Sequence, residues 1–128
     1  MAHKILELKS VHPTQGYSHA ARVGNTLYIA GQISKDVAGN VVGAGDMEAQ
    51  ARQTFTNLKN IVEEAGGRLE NIVKMTTLLT HPGHIETYRA VRNTFFSEPM
   101  PPNTLMVITS LALPELLIEV EAIAELDG

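Results

Sequence analysis

Leu117-Ile118-Glu119-Val120-Glu121-Ala122-Ile123-Ala124 is a stretch in which apolar and polar side chains alternate with a period of two along most of its length. This alternation is typical of a β-strand that buries one face. Glu119, Glu121 and Ile123 then share one face of the strand, whereas Ile118, Val120 and Ala122 share the other. The pattern therefore predicts two carboxylates on one side of a strand whose other side lies in the core.

The segment before this strand contains two prolines followed by two polar residues, Pro101-Pro102-Asn103-Thr104, which we call the Pro-Pro entry. The apolar run 105–108 follows it. Each proline fixes its own φ and favours extended geometry in the residue before it, so the backbone direction at Asn103 and Thr104 is preset. We therefore regard both residues as candidates for a binding site. The alternative for Asn103 is that it caps a turn.

The upstream sequence predicts four more strands and two helices, in the overall order β, β, β, α, β, α, β, β. The predicted elements are an edge strand near residues 5–8, a hairpin of residues 18–23 and 26–33 around Gly24-Asn25, a helix from the N-cap Asp46 to Gly66, a strand at 72–79, and a helix from Ile85 that Pro99 and the two later prolines end. This order fits an α+β sandwich, a single mixed sheet with both helices on one face.

The uncovered face of such a sheet needs a partner. The chain has only three Phe and no Trp, so a sheet covered on one side leaves apolar residues that its own side chains do not hide. Subunit association is a simple way to cover them. Gly31 lies late in the apolar hairpin strand, where a glycine indicates either a bulge or a close backbone approach, for example by a ligand.

Composition limits the functional classes. The 128 residues predict one domain, residues 1–128, with 44% hydrophobic and 19% charged residues. A net charge of −4 without a basic patch does not favour nucleic acid as a partner. The absence of cysteine suits a reducing cytoplasm, and no apolar run approaches the roughly 20 residues of a membrane span. The five histidines show no metal-ligand spacing, so we do not expect a metal site.

Several spaced motifs resemble the RidA/YjgF family, and their order matches over nearly the whole chain, from about Pro13 to the end. They are Gly16-Tyr17-Ser18, Gly24-Asn25-Thr26-Leu27-Tyr28, Ala30-Gly31-Gln32-Ile33, Gln50 with Asn57-Leu58-Lys59, Ala65-Gly66, Val73-Lys74, Phe95-Phe96, the Pro-Pro entry and Glu119-Val120-Glu121-Ala122-Ile123-Ala124. The resemblance implies a chorismate-mutase-like fold, a homotrimer and small-molecule clefts between neighbouring subunits. For the best-known branch it also implies hydrolysis of reactive enamines and imines to a 2-oxo acid and ammonia, without metal or cofactor.

The resemblance also implies roles for individual residues. Glu119 matches the glutamate that orients the attacking water, Tyr17 matches a tyrosine near the cleft, and Gly31 matches the residue whose backbone N–H faces the ligand. The alternatives are that Glu119 and Glu121 are polar positions on a half-exposed strand or inter-subunit hydrogen-bond partners, and that Tyr17 closes the core. His19 is a surface histidine by this interpretation, with a place at the cleft border as the alternative.

The chain departs from the family pattern at three cleft positions. Asn103 stands where the family has the arginine that grips the substrate carboxylate, and a neutral amide replaces a bidentate cation there. Ala30 stands where the family has a serine, and Arg89 where it often has an asparagine. Arg89 or Arg92 could replace the lost cation, but an arginine off the apolar stripe of a helix is more often solvated.

Three functional hypotheses follow. The first is an imine or enamine deaminase, a hydrolase whose substrate is larger or less anionic than that of the best-known branch. The second is a small-molecule binding protein that kept the cleft and lost the chemistry. The third, endoribonuclease or translation-inhibitor activity, is disfavoured by the acidic charge and by the lack of a histidine-pair motif.

Overall fold

A six-stranded mixed sheet and two α-helices make up residues 3–128, the part of the chain that the computed structural model describes. The elements are β1 (Lys4–Ile5), β2 (Ala20–Val23), β3 (Thr26–Gln32), α1 (Met47–Glu64), β4 (Ile72–Leu79), α2 (Ile85–Phe95), β5 (Asn103–Val107) and β6 (Ile118–Glu125). The spatial order is β1-β2-β3-β6-β4-β5, with only the β4–β5 pair parallel among these strands. The predicted element order and the α+β class are confirmed.

Strand β6 lies at the centre of the sheet, between β3 and β4. Its alternation is confirmed, because Ile118, Val120, Ala122 and Ala124 are buried while the residues between them are half-buried or exposed. The buried set packs under α1, which also contacts β3. The helices therefore cover one face of the sheet, and Glu119, Glu121 and Ile123 lie on the other, which we call the open face.

The hairpin of β2 and β3 turns at Gly24-Asn25, as predicted, and Gly24 adopts a left-handed φ of 58° that glycine tolerates without strain. The pairing of β3 with β6 shifts register between Ile29 and Gln32. Gly31 thus lies in a bulge-like irregularity. The edge strand β1 is shorter than predicted, although Leu6 N–H still donates to the Ala20 carbonyl at 3.1 Å.

Helix α1 begins after Asp46, whose side chain accepts the Ala49 N–H at 3.1 Å and so confirms the predicted N-cap. Its apolar stripe includes the fully buried Phe55, Leu58 and Ile61. Phe55 stacks on Tyr88 of α2 with ring centroids 6.1 Å apart and also contacts Phe95 and Phe96. This aromatic cluster joins the two helices into one layer.

Two element boundaries differ from the prediction. Helix α2 ends at Phe95, before the prolines, because Phe96 takes an extended backbone and turns its ring into the core. Strand β5 begins at Asn103 because its parallel pairing with β4 starts there, opposite Met75. The polar residues of the entry are therefore part of the sheet.

Two buried amides of α1 tie the loops to the helix layer. Gln50 donates from Nε2 to the carbonyls of Gly43 and Glu115 at 3.0 and 2.8 Å, and its Oε1 accepts the Leu117 N–H at 2.8 Å. Asn57 donates to the carbonyls of Ile33 and Lys35, both at 3.0 Å. Gln50 thus fixes the entry to β6, and Asn57 fixes the exit from β3.

We predict that Gln50→Leu lowers the free energy of unfolding by about 3 kcal/mol, because three polar backbone groups lose their partner while leucine keeps the volume. Urea denaturation measures the change. Gln15→Leu, the same replacement at an exposed loop position, is the control and should change stability by less than about 0.5 kcal/mol. Equal stability of the two variants would contradict the assigned role of Gln50.

Candidate functional site

The carboxylate of Glu119 lies against the backbone of Gly31 on the neighbouring strand β3. A Cβ atom at residue 31 would come within 2.7 Å of the Glu119 Cδ atom, a distance that real side chains do not tolerate. Glycine is therefore required for this approach. Both interpretations of Gly31 apply. The strand is irregular there, and the Glu119 side chain of the same chain makes the close approach.

The surroundings of Glu119 favour a carboxyl group that holds its proton more tightly than usual. Burial raises the pKa of Glu119 above the ordinary carboxyl value, and the negative charge of Glu121 on the same face raises it further. Partial burial also raises the pKa of Tyr17, and the charge of Glu119 adds to this effect. The phenol and the carboxyl group therefore interact within one chain.

Tyr17 lies on the loop before β2 and is 50% exposed, so it does not close the core. Its ring packs edge-on against His19, with centroids 6.2 Å apart. His19 is 6% exposed, and the expectation of a surface histidine was wrong. Two hydrogen bonds satisfy the nitrogens of the buried ring, one to the His12 carbonyl at 2.7 Å and one to Gln32 Nε2 at 3.1 Å.

His12 and His19 form a pair that sequence spacing did not reveal. Their rings are buried and lie 4.8 Å apart in an edge-on arrangement. His12 Nδ1 is 2.9 Å from the Pro13 carbonyl, and His19 is engaged on both nitrogens. Because both rings are buried and hydrogen-bonded inside the chain, they do not present an acid–base pair to an RNA backbone.

Asn103 points away from Glu119. Its Oδ1 accepts from Thr77 Oγ1 at 3.0 Å and its Nδ2 donates to the Tyr88 hydroxyl at 3.0 Å. Thr77 and Tyr88 are fully buried and lie 3.1 Å apart through their hydroxyl oxygens, which closes a three-membered ring of hydrogen bonds. The Asn103 amide therefore belongs to the helix side of the sheet and does not cap a turn.

The remaining candidate residues divide between two regions of the chain. Ala30 is half-buried beside Gly31, so it joins Tyr17 and Glu119. Thr104 is exposed on β5, which β4 separates from β6, so roughly 10 Å divides that strand from Glu119. Arg89 is exposed on α2. One chain thus brings together Tyr17, Ala30, Gly31 and Glu119, but not Arg89, Asn103 and Thr104.

Arg92 does not lie free beside the site. Its guanidinium carbon is 5.7 Å from the centroid of the Tyr88 ring, and two of its nitrogens donate to Asn93 Oδ1 at 3.1 and 2.9 Å. These contacts hold the cation at the helix surface, where it stacks on an aromatic face. Replacement of the missing arginine by Arg92 stays a prediction without support from this geometry.

The open face carries a concavity of about 400 Å³ between β2, β3, β6 and β4. Its walls are mainly apolar, with Tyr28 49% exposed and Ile5 47% exposed. The polar residues that line it are Ser18, His19, Lys74, Thr76 and Glu121. Within residues 3–128, no group of three or more His, Cys, Asp or Glu side chains is placed to hold a metal ion, and no helix is long and apolar enough to cross a membrane.

Comparison with known proteins gives consistent matches along most of the chain. A family model described as endoribonuclease L-PSP matches residues 7–126. A RutC family protein of Pyrococcus abyssi is 34% identical over 116 residues, which cover 91% of each chain. A 2-iminobutanoate/2-iminopropanoate deaminase of Dermatophagoides farinae is 30% identical over 115 residues, which cover 90% of this chain and 89% of that protein.

Solved structures show the same fold. RidA from the Antarctic bacterium Psychrobacter sp. superposes with a TM-score of 0.89 at 30% identity, over 96% of this chain and 99% of that chain. Yeast Mmf1 superposes with a TM-score of 0.92 at 28% identity, over 98% of this chain and 100% of that chain. The resemblance that the sequence motifs indicated is thereby confirmed at the level of family and fold.

We predict that Glu119→Gln raises the free energy of unfolding at pH 7, because a group that does not ionise replaces a partly buried carboxylate. The folded-state pKa of Glu119 is raised, so the folded protein binds more protons than the unfolded one just above the ordinary carboxyl pKa, and stability falls as pH rises through that window. Glutamine does not ionise, so the Glu119→Gln variant does not lose stability in this way.

Urea unfolding at pH 7 and pH 4, at one protein concentration, tests this prediction. The advantage of Glu119→Gln should shrink strongly at pH 4, below the ordinary carboxyl pKa, where the carboxyl group is mostly protonated in both states of the wild type. Glu115→Gln, at an exposed loop position, controls for the change in net charge. An advantage that persists unchanged at pH 4 would show that the effect does not come from ionisation of Glu119.

Proposed function

This chain belongs to the endoribonuclease L-PSP family, which includes the RidA proteins, and from that membership we propose that it hydrolyses imines or enamines of small reactive metabolites. The observation that carries the proposal is the Glu119 carboxyl group, held against the backbone of Gly31 with its pKa raised. A carboxyl group with a pKa closer to neutrality exchanges protons with water more readily at cellular pH than an ordinary one.

In the proposed reaction Glu119 orients a water molecule and accepts a proton from it while the water oxygen attacks the imine carbon. The C–N bond of the resulting tetrahedral intermediate then breaks, nitrogen leaves as ammonia with the protons taken from water, and a carbonyl compound remains. The Gly31 N–H is the proposed donor to the ligand, and the Tyr17 hydroxyl contributes a polar group beside the Glu119 carboxyl group. No metal or cofactor is required for this sequence.

We further propose that the complete cleft forms between subunits of a homotrimer. One chain gathers Tyr17, Gly31 and Glu119 but leaves Asn103 and Arg89 elsewhere, so a neighbouring copy would have to supply that second set. The half-exposed Ile5 and Tyr28 on the open face offer apolar area for such a contact. The trimer, the single-domain organisation and the cytoplasmic location stay predictions.

The proposed substrate is less anionic than the 2-iminobutanoate for which several relatives are named. Asn103 replaces a cation with an amide, and both ends of this amide are engaged by Thr77 and Tyr88. A ligand carboxylate therefore meets no charge at this position. Imines derived from neutral carbonyl compounds, or larger imines whose carboxylate lies elsewhere, fit this cleft better.

A non-catalytic binding protein is the second candidate. The observation that favours it is the combined loss of two polar cleft groups, since Ala30 carries no hydroxyl and the Asn103 amide is held by its own chain. Such a protein would bind neutral carbonyl compounds without turning over their imines. Thermal-shift screening with 2-oxo acids and neutral carbonyl compounds, followed by turnover assays on the binders, separates the two functions.

We predict that Glu119→Ala abolishes imine hydrolysis, with a loss of at least about 100-fold in kcat, because no group then activates the water. Ammonia release measures the rate, and size-exclusion chromatography checks the assembly. Glu115→Ala, at an exposed loop position, makes the same change in net charge away from Glu119 and should retain activity. Full activity of Glu119→Ala would place the water-activating group elsewhere.

We predict that Asn103→Arg raises kcat/KM for 2-iminobutanoate by about 10- to 100-fold, the gain expected from a charged hydrogen bond to the substrate carboxylate. Asn103→Leu is the control, because it also breaks the bonds to Thr77 and Tyr88 but adds no charge. Wild-type turnover of 2-iminobutanoate as fast as that of Asn103→Arg would show that the missing arginine does not limit the reaction.

A further inference from the structure

His19 connects the loop that carries Tyr17 to the strand that carries Gly31. Its Nε2 donates to the His12 carbonyl at 2.7 Å, at the start of the loop, and its Nδ1 accepts from Gln32 Nε2 at 3.1 Å, directly after Gly31. Its own backbone carbonyl accepts the Ala30 N–H at 2.8 Å. Because a carbonyl oxygen cannot donate, the ring proton lies on Nε2 and the imidazole is neutral.

The loop of residues 13–18 depends on this connection. Most of its residues are exposed, and its internal bond runs from Thr14 Oγ1 to the Tyr17 carbonyl at 2.6 Å. The Tyr17 ring rests with its edge on the His19 ring. The position of the Tyr17 hydroxyl relative to Glu119 therefore follows the position of the His19 ring.

Gln32 can accommodate both protonation states of His19. It is fully buried, and its Oε1 finds no hydrogen-bond partner within residues 3–128, while Nε2 donates to His19 and to the Ala30 carbonyl at 3.1 Å. A half-turn of the amide would bring Oε1 to His19 Nδ1, which is the acceptor that a protonated ring requires. The same half-turn gives up the bond from Gln32 to the Ala30 carbonyl, next to Gly31.

We propose that His19 is a positioning residue that holds Tyr17 beside Glu119 while its ring is neutral, and that Gln32 couples protonation of the ring to the backbone at Ala30 and Gly31. The placement of Tyr17 rests on the hydrogen bonds of His19 and on the contact between the two rings, and it does not depend on any substrate. Its importance for turnover rests on the proposed function. The neutral ring is the working state, and the protonated ring loosens both the loop and the strand next to the site.

The surroundings of His19 set the pH at which this change occurs. Burial lowers the pKa of His19 below its ordinary value, the bond to the His12 carbonyl offsets part of this, and the His12 ring lowers the pKa again. Tyr17 faces the ring from the loop, and Lys74 and Glu121 line the same concavity from β4 and β6. Because the pKa of His19 is lowered, its ring is neutral at pH 7 and holds Tyr17 in place. The ring becomes protonated, and this placement is lost, as the pH falls below 6.5.

Fluorine NMR of protein labelled with 3-fluorotyrosine tests the proposal without any substrate. Tyr17→Phe identifies the Tyr17 resonance among the three tyrosines. We expect this resonance to shift between pH 7.5 and pH 5 with a midpoint below 6.5 in the wild type. His19→Gln offers a donor and an acceptor at similar spacing but does not titrate, so its Tyr17 resonance should lose this step.

Two further variants sharpen the result. His19→Phe keeps a ring against Tyr17 but makes neither hydrogen bond, so its Tyr17 resonance should differ from the wild type already at pH 7.5. Glu119→Gln should retain the step, which excludes Glu119 as its origin. A step that persists in His19→Gln with the wild-type midpoint, or that disappears in Glu119→Gln, would overturn the proposal, even if His19→Phe failed to fold.

The role in catalysis has a separate readout. His19→Phe should lower kcat/KM for imine hydrolysis by about 10-fold, because the displaced Tyr17 hydroxyl no longer meets the reacting geometry. His19→Gln should keep kcat/KM within about twofold of the wild type. It should also remove the part of the fall in kcat/KM at acidic pH that protonation of His19 causes. Unaltered kcat/KM in a folded His19→Phe variant would overturn this role. Absence of any hydrolysis in the wild type, with the NMR result intact, would instead overturn the proposed function alone.

Discussion

The contact between the Glu119 carboxyl group and the Gly31 backbone is the constraint on which the site depends. It exists because β6 lies beside β3, because the pairing of these strands is irregular next to Gly31, and because glycine has no Cβ atom to block the approach. The two polar side chains of α1 that hold the neighbouring loops, Gln50 and Asn57, secure both partners of this contact. The helix layer thus positions chemistry on the opposite face of the sheet.

Periodicity accounts for the parts of the fold that the sequence predicted correctly. The two-residue alternation of β6, the hairpin around Gly24-Asn25 and the cap at Asp46 are local patterns, and each can be recognised without knowing its neighbours. Even the buried amides of α1 left a signal, because Gln50 and Asn57 are large polar side chains in the mainly apolar stripe of the helix. A polar side chain in such a stripe indicates a buried hydrogen-bond partner from another element.

Other features depend on residues that are distant in sequence. The direction of the Asn103 amide is set by Thr77 on β4 and Tyr88 on α2, and the burial of His19 is set by Gln32 on β3. No local pattern contains these pairs. The resemblance implies an arginine at this position in the family, and only the structure shows that the Asn103 amide is bonded to its own chain. Asn103 therefore makes its polar contacts on the helix side of the sheet.

The position of β6 also affects how the chain can fold. This strand follows all the others along the sequence, yet it occupies the middle of the sheet and separates β1-β2-β3 from β4-β5. Until it is added, the two halves have no shared hydrogen bonds, and β3 and β4 each leave an edge unpaired. During synthesis the sheet can close only after residues 118–125 have left the ribosome, so the edge of β3, and later also that of β4, stays unpaired until then.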